Sequence, residues 1–216
     1  WGGSCYGSCD LPIDIGDADV LIHVGHSEIP NLKVDYPVIY LEGRSKASVD
    51  IPEELYDILE GSIALYASVQ YLDILEKVKK RLEKNGFETQ VGEGDERIKY
   101  PGQVLGCNYS AKVEEADSHL YIGSGQFHPL GLSISLGKSV IKLNPLTGEV
   151  SQIKDEKDRL LRKRFGLITL AEDAEKIGII VSAKSGQRRK ELAEHLKERS
   201  PEKCIIFEFD EVTPEL

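Results

Sequence analysis

ADVLIHVG, residues 18–25, and ADSHLYIG, residues 116–123, stand 98 positions apart and read as two versions of one element. Each opens on an Ala-Asp pair, continues as a short apolar run and ends on a glycine turn. Cys9 and Cys107, each beside a glycine-bearing loop, precede them at the same offset. A second correspondence has an offset of 114: Ile63, Ser68 and Leu82 answer Ile177, Ser182 and Leu196. Both of those sets describe a strand ending in serine and followed by a helix. Similarity at a fixed offset is the signature of repeated units. The chain therefore reads as α/β, built from three similar parallel-sheet domains of which the first and third are incomplete. Residues 1–46 are the C-terminal part of a first domain, 47–150 a second domain, and 151–216 the N-terminal part of a third.

The rest of the chain fits this frame. PVIYLEG (37–43) joins ADVLIHVG as a buried strand ending in a turn glycine, and SIALYAS (62–68) is another strand. In LDILEKVKKRLEKNG, Leu72, Leu75, Val78 and Leu82 recur at helical spacing, and Asn85-Gly86 supplies the stop. FETQVGEG, SHLYIGSG and SVIKLNP are further strands; IGIIVSA, the charged helix QRRKELAEHLKER and the strand CIIFEFD close the chain. Strands that alternate with helices and read as continuous apolar runs predict a parallel sheet covered on both faces.

Composition narrows the function. The chain has 216 residues, 40% hydrophobic and 30% charged, an ordinary globular balance. No run of eighteen apolar residues exists, so no membrane span is expected, and the opening does not resemble a signal peptide. A net charge of −10 argues against general nucleic-acid affinity. The one basic cluster, KDRLLRKR (157–164), is interrupted by leucines and reads as a solvated helix face. The chain starts at Trp1 and contains no methionine, which predicts an internal fragment. The cytoplasm is the expected compartment, and its reducing conditions disfavour a Cys5–Cys9 disulfide.

Four cysteines invite metal chemistry. A lone cysteine is commonly a small apolar filler, and Cys204, at the start of a strand and unmatched in the repeat, reads that way. The equivalent positions of Cys9 and Cys107 favour ligation instead. Carrying the spacing from Ser68 to Cys107 onto Ser182 puts a third cysteine beyond Leu216. Three thiolates meeting at the junction of three units suit a 4Fe-4S cluster that keeps one iron open to a substrate. Zinc is the rival, because Cys5, Cys9, His23 and His26 come close to a zinc-finger spacing. The second gap is one residue short, and strand alternation points His23 away from a coordinating loop.

Polar loops complete the candidates. YIGSGQFHPLG (121–131) is no dinucleotide fingerprint, since His128 stands where a third glycine belongs. It nevertheless offers backbone amides, Gly123, Ser124, Gly125 and His128 at the carboxyl end of a strand, where ligands bind in open α/β sheets. The bland alternative is a tight turn with a capping histidine. Gly25, His26 and Ser27 hold the equivalent place in the preceding unit. Gln70 and Gln187 follow the two repeated strands and face the same cleft, or else merely begin helices.

YGSCD, ADVLIHVGHS, PGQVLGCNYS, YIGSGQFHPLGL and GIIVSAKSGQ, in that order, make the sequence similar to the radical enzymes that begin diphthamide synthesis, in their archaeal homodimeric form. The similarity runs the length of the chain. It implies three α/β domains, each contributing one cysteine to a central 4Fe-4S cluster. Cys9 and Cys107 match the first two ligands, the third belongs to an Ala-Cys-Pro motif that this chain lacks, and Cys5 and Cys204 match none. The resemblance implies a 3-amino-3-carboxypropyl transferase. S-adenosylmethionine would be cleaved at its sulfur–Cγ bond, releasing methylthioadenosine. The fragment would add to imidazole C2 of a histidine on translation elongation factor two. Radical addition suits that carbon, a poor nucleophile at neutral pH. Gly25, His26, Ser27, Gln70, Gly123, Ser124, Gly125 and His128 are the expected cofactor-holding residues. Lacking the third ligand, the chain by itself is expected to be inactive. A non-catalytic partner subunit of the same family and a zinc-stabilised α/β binding protein are the alternatives.

Overall fold

The computed structural model describes residues 11, 12, 14–183 and 188–209. Among the described residues, nine strands and five helices follow in chain order. They are β1 (Leu21–Val24), β2 (Val38–Leu41), α1 (Glu53–Ile58), β3 (Ser62–Ala67), α2 (Leu72–Lys84), β4 (Glu88–Gln90) and β5 (Ser118–Ile122). After these come α3 (Phe127–Leu136), β6 (Val140–Leu143), β7 (Val150–Ile153), α4 (Asp155–Glu172), β8 (Ile177–Ser182), α5 (Lys190–Arg199) and β9 (Cys204–Phe209). A 3-10 turn, Val69–Tyr71, joins β3 to α2.

Among the described residues three sheets form: β1-β2, β4-β3-β5-β6-β7 and β8-β9. Every neighbouring pair is parallel except β6 and β7, which run antiparallel and carry the second sheet on to Ile153. The sheets are thus parallel-dominated rather than wholly parallel. The likeness among the three spans rests on the matched residues alone. Packing groups the described residues into two compact units, one of residues 21–33 and 38–159 and one of the described residues outside that range.

The first unit owes its core to simple alternation along β3. Ile63, Leu65 and Ala67 face one side, where Leu72, Leu75, Val78 and Leu82 of α2 meet them with Leu55 of α1. Ala64 and Tyr66 face the other, against Leu132 of α3, Val104 and Tyr121. β3, β5 and β6 are buried along nearly their whole length, as expected for strands covered on both sides. Gly137 closes α3 in the left-handed conformation (φ 69°) that glycine adopts without penalty.

Two expectations fail here. β1 and β2 are not buried strands but alternating ones. In their parallel register Ile22 lies beside Ile39 and Val24 beside Leu41, and all four side chains are more than half exposed. The reason is that an apolar run reports only that a strand is able to be covered. Nor is the β8-β9 pair covered on both faces. α5 packs on it and Val181, Ala193 and Cys204 are buried, while Ile180, Ile205 and Phe207 stay exposed. The burial of Cys204 agrees with its reading as filler. α4 holds the basic cluster and buries no residue, in keeping with a solvated face.

Candidate functional site

The order β4-β3-β5 makes a switch point. The chain leaves β3 toward α2 and β4 on one side, and the next strand, β5, pairs on the other. Loops leaving the carboxyl ends of two such strands diverge and open a crevice between them. Those loops begin at Ser68 and Gly123, and the Gly25 loop after β1 joins them.

Side-chain bonds tie the three loops together. Gln70 donates through Nε2 to the carbonyl oxygen of Gly25, in a very short contact. Gly25 itself sits at φ 85°, a left-handed turn that brings its backbone against Gln70. The buried Gln103 donates to the Ser27 hydroxyl at 2.7 Å. Tyr71, next to Gln70, donates to the Ser124 hydroxyl at 3.0 Å. His128, on the second residue of α3, stacks over Tyr121 with ring centroids 6.2 Å apart. Its neighbour Pro129 is tolerated in that first helical turn, where a backbone N–H has no partner within the helix. Gly123 is needed, because a Cβ there would lie 2.7 Å from the Tyr121 ring. Gly125 meets nothing within 4 Å, so no steric demand explains it. All eight residues expected to hold the cofactor therefore fall in one region.

Three imidazoles gather at the site, each with its pKa lowered by burial. Burial, and then the nearness of His26, push His128 down to about 4. Burial also lowers His26, against a backbone hydrogen bond at Val24 that raises it. His23 is lowered by burial and then by His26. Alternation in a four-residue strand does not carry His23 away from the loop: its ring stacks on His26 at 4.9 Å between centroids. His23 Nε2 and His26 Nδ1 are buried without a hydrogen-bond partner among the described residues. Burial also raises the Tyr121 hydroxyl well above its ordinary range.

Cys107 is exposed and forms the tip of a two-residue turn. Leu105 and Asn108 close it, each donating its N–H to the other's carbonyl oxygen at 3.0 and 3.2 Å. Its companion at the tip, Gly106, packs so closely on Phe127 that a Cβ would lie 2.3 Å from the ring. A Cβ on Gly131 of α3 would lie 1.9 Å from the Tyr109 hydroxyl. The Cys107 turn is thus pressed against the helix that carries His128. Tyr71, Gln103, Tyr121 and Phe127 were not singled out from the sequence. Gln103 lay within PGQVLGCNYS, the motif that supplied Cys107.

Cys5, Cys9 and Gln187 lie outside the described residues. Among the described residues, no three of His, Cys, Asp and Glu come together as a metal site. The donor chemistry still fits an iron–sulfur cluster in part: Cys107 is an exposed cysteine outside any disulfide, on a clamped turn, and further thiolates would complete the set. No helix of the described residues is long and apolar enough to cross a membrane.

A cavity of about 200 Å³ elsewhere is lined by Arg44, Asp73 and Tyr100. Arg44 is already engaged there by Glu42 and Asp73.

Comparison with known proteins gives consistent matches. The family model described as "Putative diphthamide synthesis protein" matches residues 1–216. The 2-(3-amino-3-carboxypropyl)histidine synthase of Pyrococcus horikoshii is 40% identical over 217 residues, covering 95% of this chain and 62% of that protein. The synthase of the same name from Methanocaldococcus jannaschii is 23% identical over 235 residues and is likewise covered to 62% of its length. The crystal structure of Dph2 from Pyrococcus horikoshii with a 4Fe-4S cluster superposes with a TM-score of 0.85 at 38% identity. That match covers 97% of this chain and 64% of the other. The chain thus spans about three fifths of the length of these relatives.

Proposed function

The chain belongs to the diphthamide synthesis protein family, and on that premise we propose that it serves a 3-amino-3-carboxypropyl transferase acting on a histidine. In this reading S-adenosylmethionine is the donor and imidazole C2 of a histidine on translation elongation factor two is the acceptor. Cys107 and Cys9 are two thiolate ligands of a 4Fe-4S cluster. The protein works as a homodimer in the cytoplasm, with no membrane or nucleic-acid partner. The observation that carries the reading is the meeting of the Gly25, Gln70 and Gly123 loops with the Cys107 turn, through Gly106 and Phe127.

When bound, a cluster held by three thiolates supplies one electron and an open iron at which the donor is oriented. The chain's own residues do the positioning. The start of α3 presents backbone N–H groups and the positive end of a helix dipole to the donor's carboxylate, and the Ser124 hydroxyl lies beside them. Neutral His26 and His128 accept or donate hydrogen bonds without adding charge beside a sulfonium cation. Holding the sulfonium in one orientation decides which of its three carbon–sulfur bonds opens. The electron that opens the sulfur–Cγ bond leaves methylthioadenosine and a carbon radical. Addition at C2 would then be followed by loss of the C2 proton and return of one electron to the oxidised cluster, so that the electron spent on cleavage is recovered.

The test is metal and turnover analysis of the full-length protein prepared without oxygen. About four irons and four sulfides per chain are expected. Cys107→Ser should lose them together with formation of methylthioadenosine and modified elongation factor. Cluster content and turnover unchanged in Cys107→Ser would sink the reading. A zinc site of Cys5, Cys9, His23 and His26 is the second reading, favoured by the stacked histidines. Stoichiometric zinc without sulfide, lost in His26→Ala, would establish it instead.

A further inference from the structure

The clamp on the Cys107 turn has a second arm, in a loop that nothing above assigns to the site. Asn108 follows Cys107 and is buried, although Asp95 and Ser110 around it are exposed. Its amide Nδ2 donates to both oxygens of the Asp95 carboxylate, at 2.9 and 3.0 Å. Its Oδ1 accepts from the N–H and the hydroxyl of Ser110, at 2.8 and 2.7 Å. Asp95 returns a bond from its own N–H to the Ser110 hydroxyl at 2.9 Å and accepts the Arg97 N–H at 2.9 Å. Three side chains therefore close a ring in which the Asn108 side chain meets partners at both ends.

The Asp95 loop is itself held firmly. Gly94 turns at φ 80° against Ile98, whose N–H donates to the Asp95 carbonyl at 3.0 Å. Gly92 lies so close to Ala111 that a Cβ there would be 2.2 Å from the Ala111 carbonyl oxygen. The loops carrying Asp95 and Asn108 thus run back to back over several residues. Geometry is what such a ring fixes: the backbone of Asn108, and with it the angle at which the preceding residue leaves the turn.

We propose that Asp95 and Asn108 are positioning residues for the Cys107 sulfur, a clasp that holds the thiolate at the angle a cluster iron requires. The proposal rests on the cluster reading above. Groups that orient a metal ligand without touching the metal typically change metal affinity by about 10–100-fold. A donor–acceptor pair of this kind also permits a swap. In Asn108→Asp two carboxylates face each other and the ring opens. In the double variant Asp95→Asn with Asn108→Asp the amide and carboxylate exchange sides and one of the two bonds re-forms: the amide N–H now on residue 95 donates to the carboxylate on residue 108, while its oxygen keeps the Arg97 N–H.

The test follows iron loss to a chelator by the visible absorbance of the full-length, oxygen-free protein, with the EPR spectrum of its reduced cluster. Asp95→Ala and Asn108→Asp should each lose iron about ten-fold faster or more, with an altered EPR line shape. The swap should recover part of both, with iron lost more slowly than in Asn108→Asp alone. Wild-type rates and spectra in both single variants would overturn the clasp while leaving the cluster intact. A swap that melts like wild type yet recovers no iron retention would overturn it as well, even if the single variants prove misfolded. Wild-type protein holding no iron or sulfide would sink the cluster reading, and the clasp with it.

Discussion

Position 106 shows how a single missing methyl group places a reactive neighbour. Its φ is not in the left-handed region, so backbone freedom does not require glycine there; the Phe127 ring does. Gly106→Ala should cost about 1 kcal/mol, the low end of the range for overpacking because the half-exposed Phe127 ring is able to swing aside, in denaturant unfolding of the protein. Phe127→Ala in the same chain should remove most of that cost, since the obstructing ring is gone; a strictly additive double mutant would refute the contact. His128 gives the second prediction at this scale. Its proton affinity is lower in the folded state than the ordinary 6.5, so the unfolded chain binds the proton more readily between those values. Above pH 6.5 the imidazole is neutral in both states and contributes no pH dependence. As the pH falls from 6.5 toward about 4 the protein loses stability, by at most about 3 kcal/mol from this residue. His128→Gln should flatten that part of the stability–pH curve, leaving a smaller slope from His26 and His23. An unchanged slope would mean that His128 titrates normally.

The helices differ in what holds them, and that difference sets the next prediction. α2 buries Leu72, Ile74, Leu75, Val78 and Leu82 along one stripe, while α4, longer by five residues, buries none. Leu82→Ala should therefore cost about 2–5 kcal/mol, as large-to-small changes in a packed core do. Leu170→Ala, on the exposed surface of α4, should change stability by less than about 0.5 kcal/mol. A comparable loss at both positions would contradict the packing. The same contrast explains what the sequence made legible. α2 could be read because a helical stripe above charged residues records burial directly. β3 and β5 could be read because continuous apolar runs fit central strands. α3 escaped notice because Pro129 and Gly131 look like breakers, though one sits in the first turn and the other makes room for Tyr109. The antiparallel β7 was missed because VSQI is too short and polar to carry a period. At the site, the loop residues were visible as Gly, Ser and His at strand ends. Phe127 and Asp95 were not: their roles depend on contacts across the fold to Gly106 and Asn108, which no local pattern encodes.

Across the whole molecule, protection should follow the sheets rather than the strand propensities. β3 has strands on both sides and core on both faces, so its amides exchange only when the surrounding sheet opens. β8 and β9 have propensities at least as strong, with Ile and Phe at most positions, yet they form a two-stranded pair with one face largely exposed. Two paired strands are marginal by themselves. Amide hydrogen exchange of this 216-residue chain should therefore show β3 and β5 protected near the global unfolding limit. β8 and β9 should exchange by local opening and respond little to Leu82→Ala, which lowers the protection of β3 and β5. Equal protection of the two sheets, falling together in Leu82→Ala, would show that the two units unfold as one. The site makes the difference consequential. The Gln70, Ser124 and Cys107 loops all spring from the unit of β3 and β5, so the groups proposed to hold the donor sit on the most protected part of the chain. A positioning task that tolerates little displacement belongs on such a scaffold.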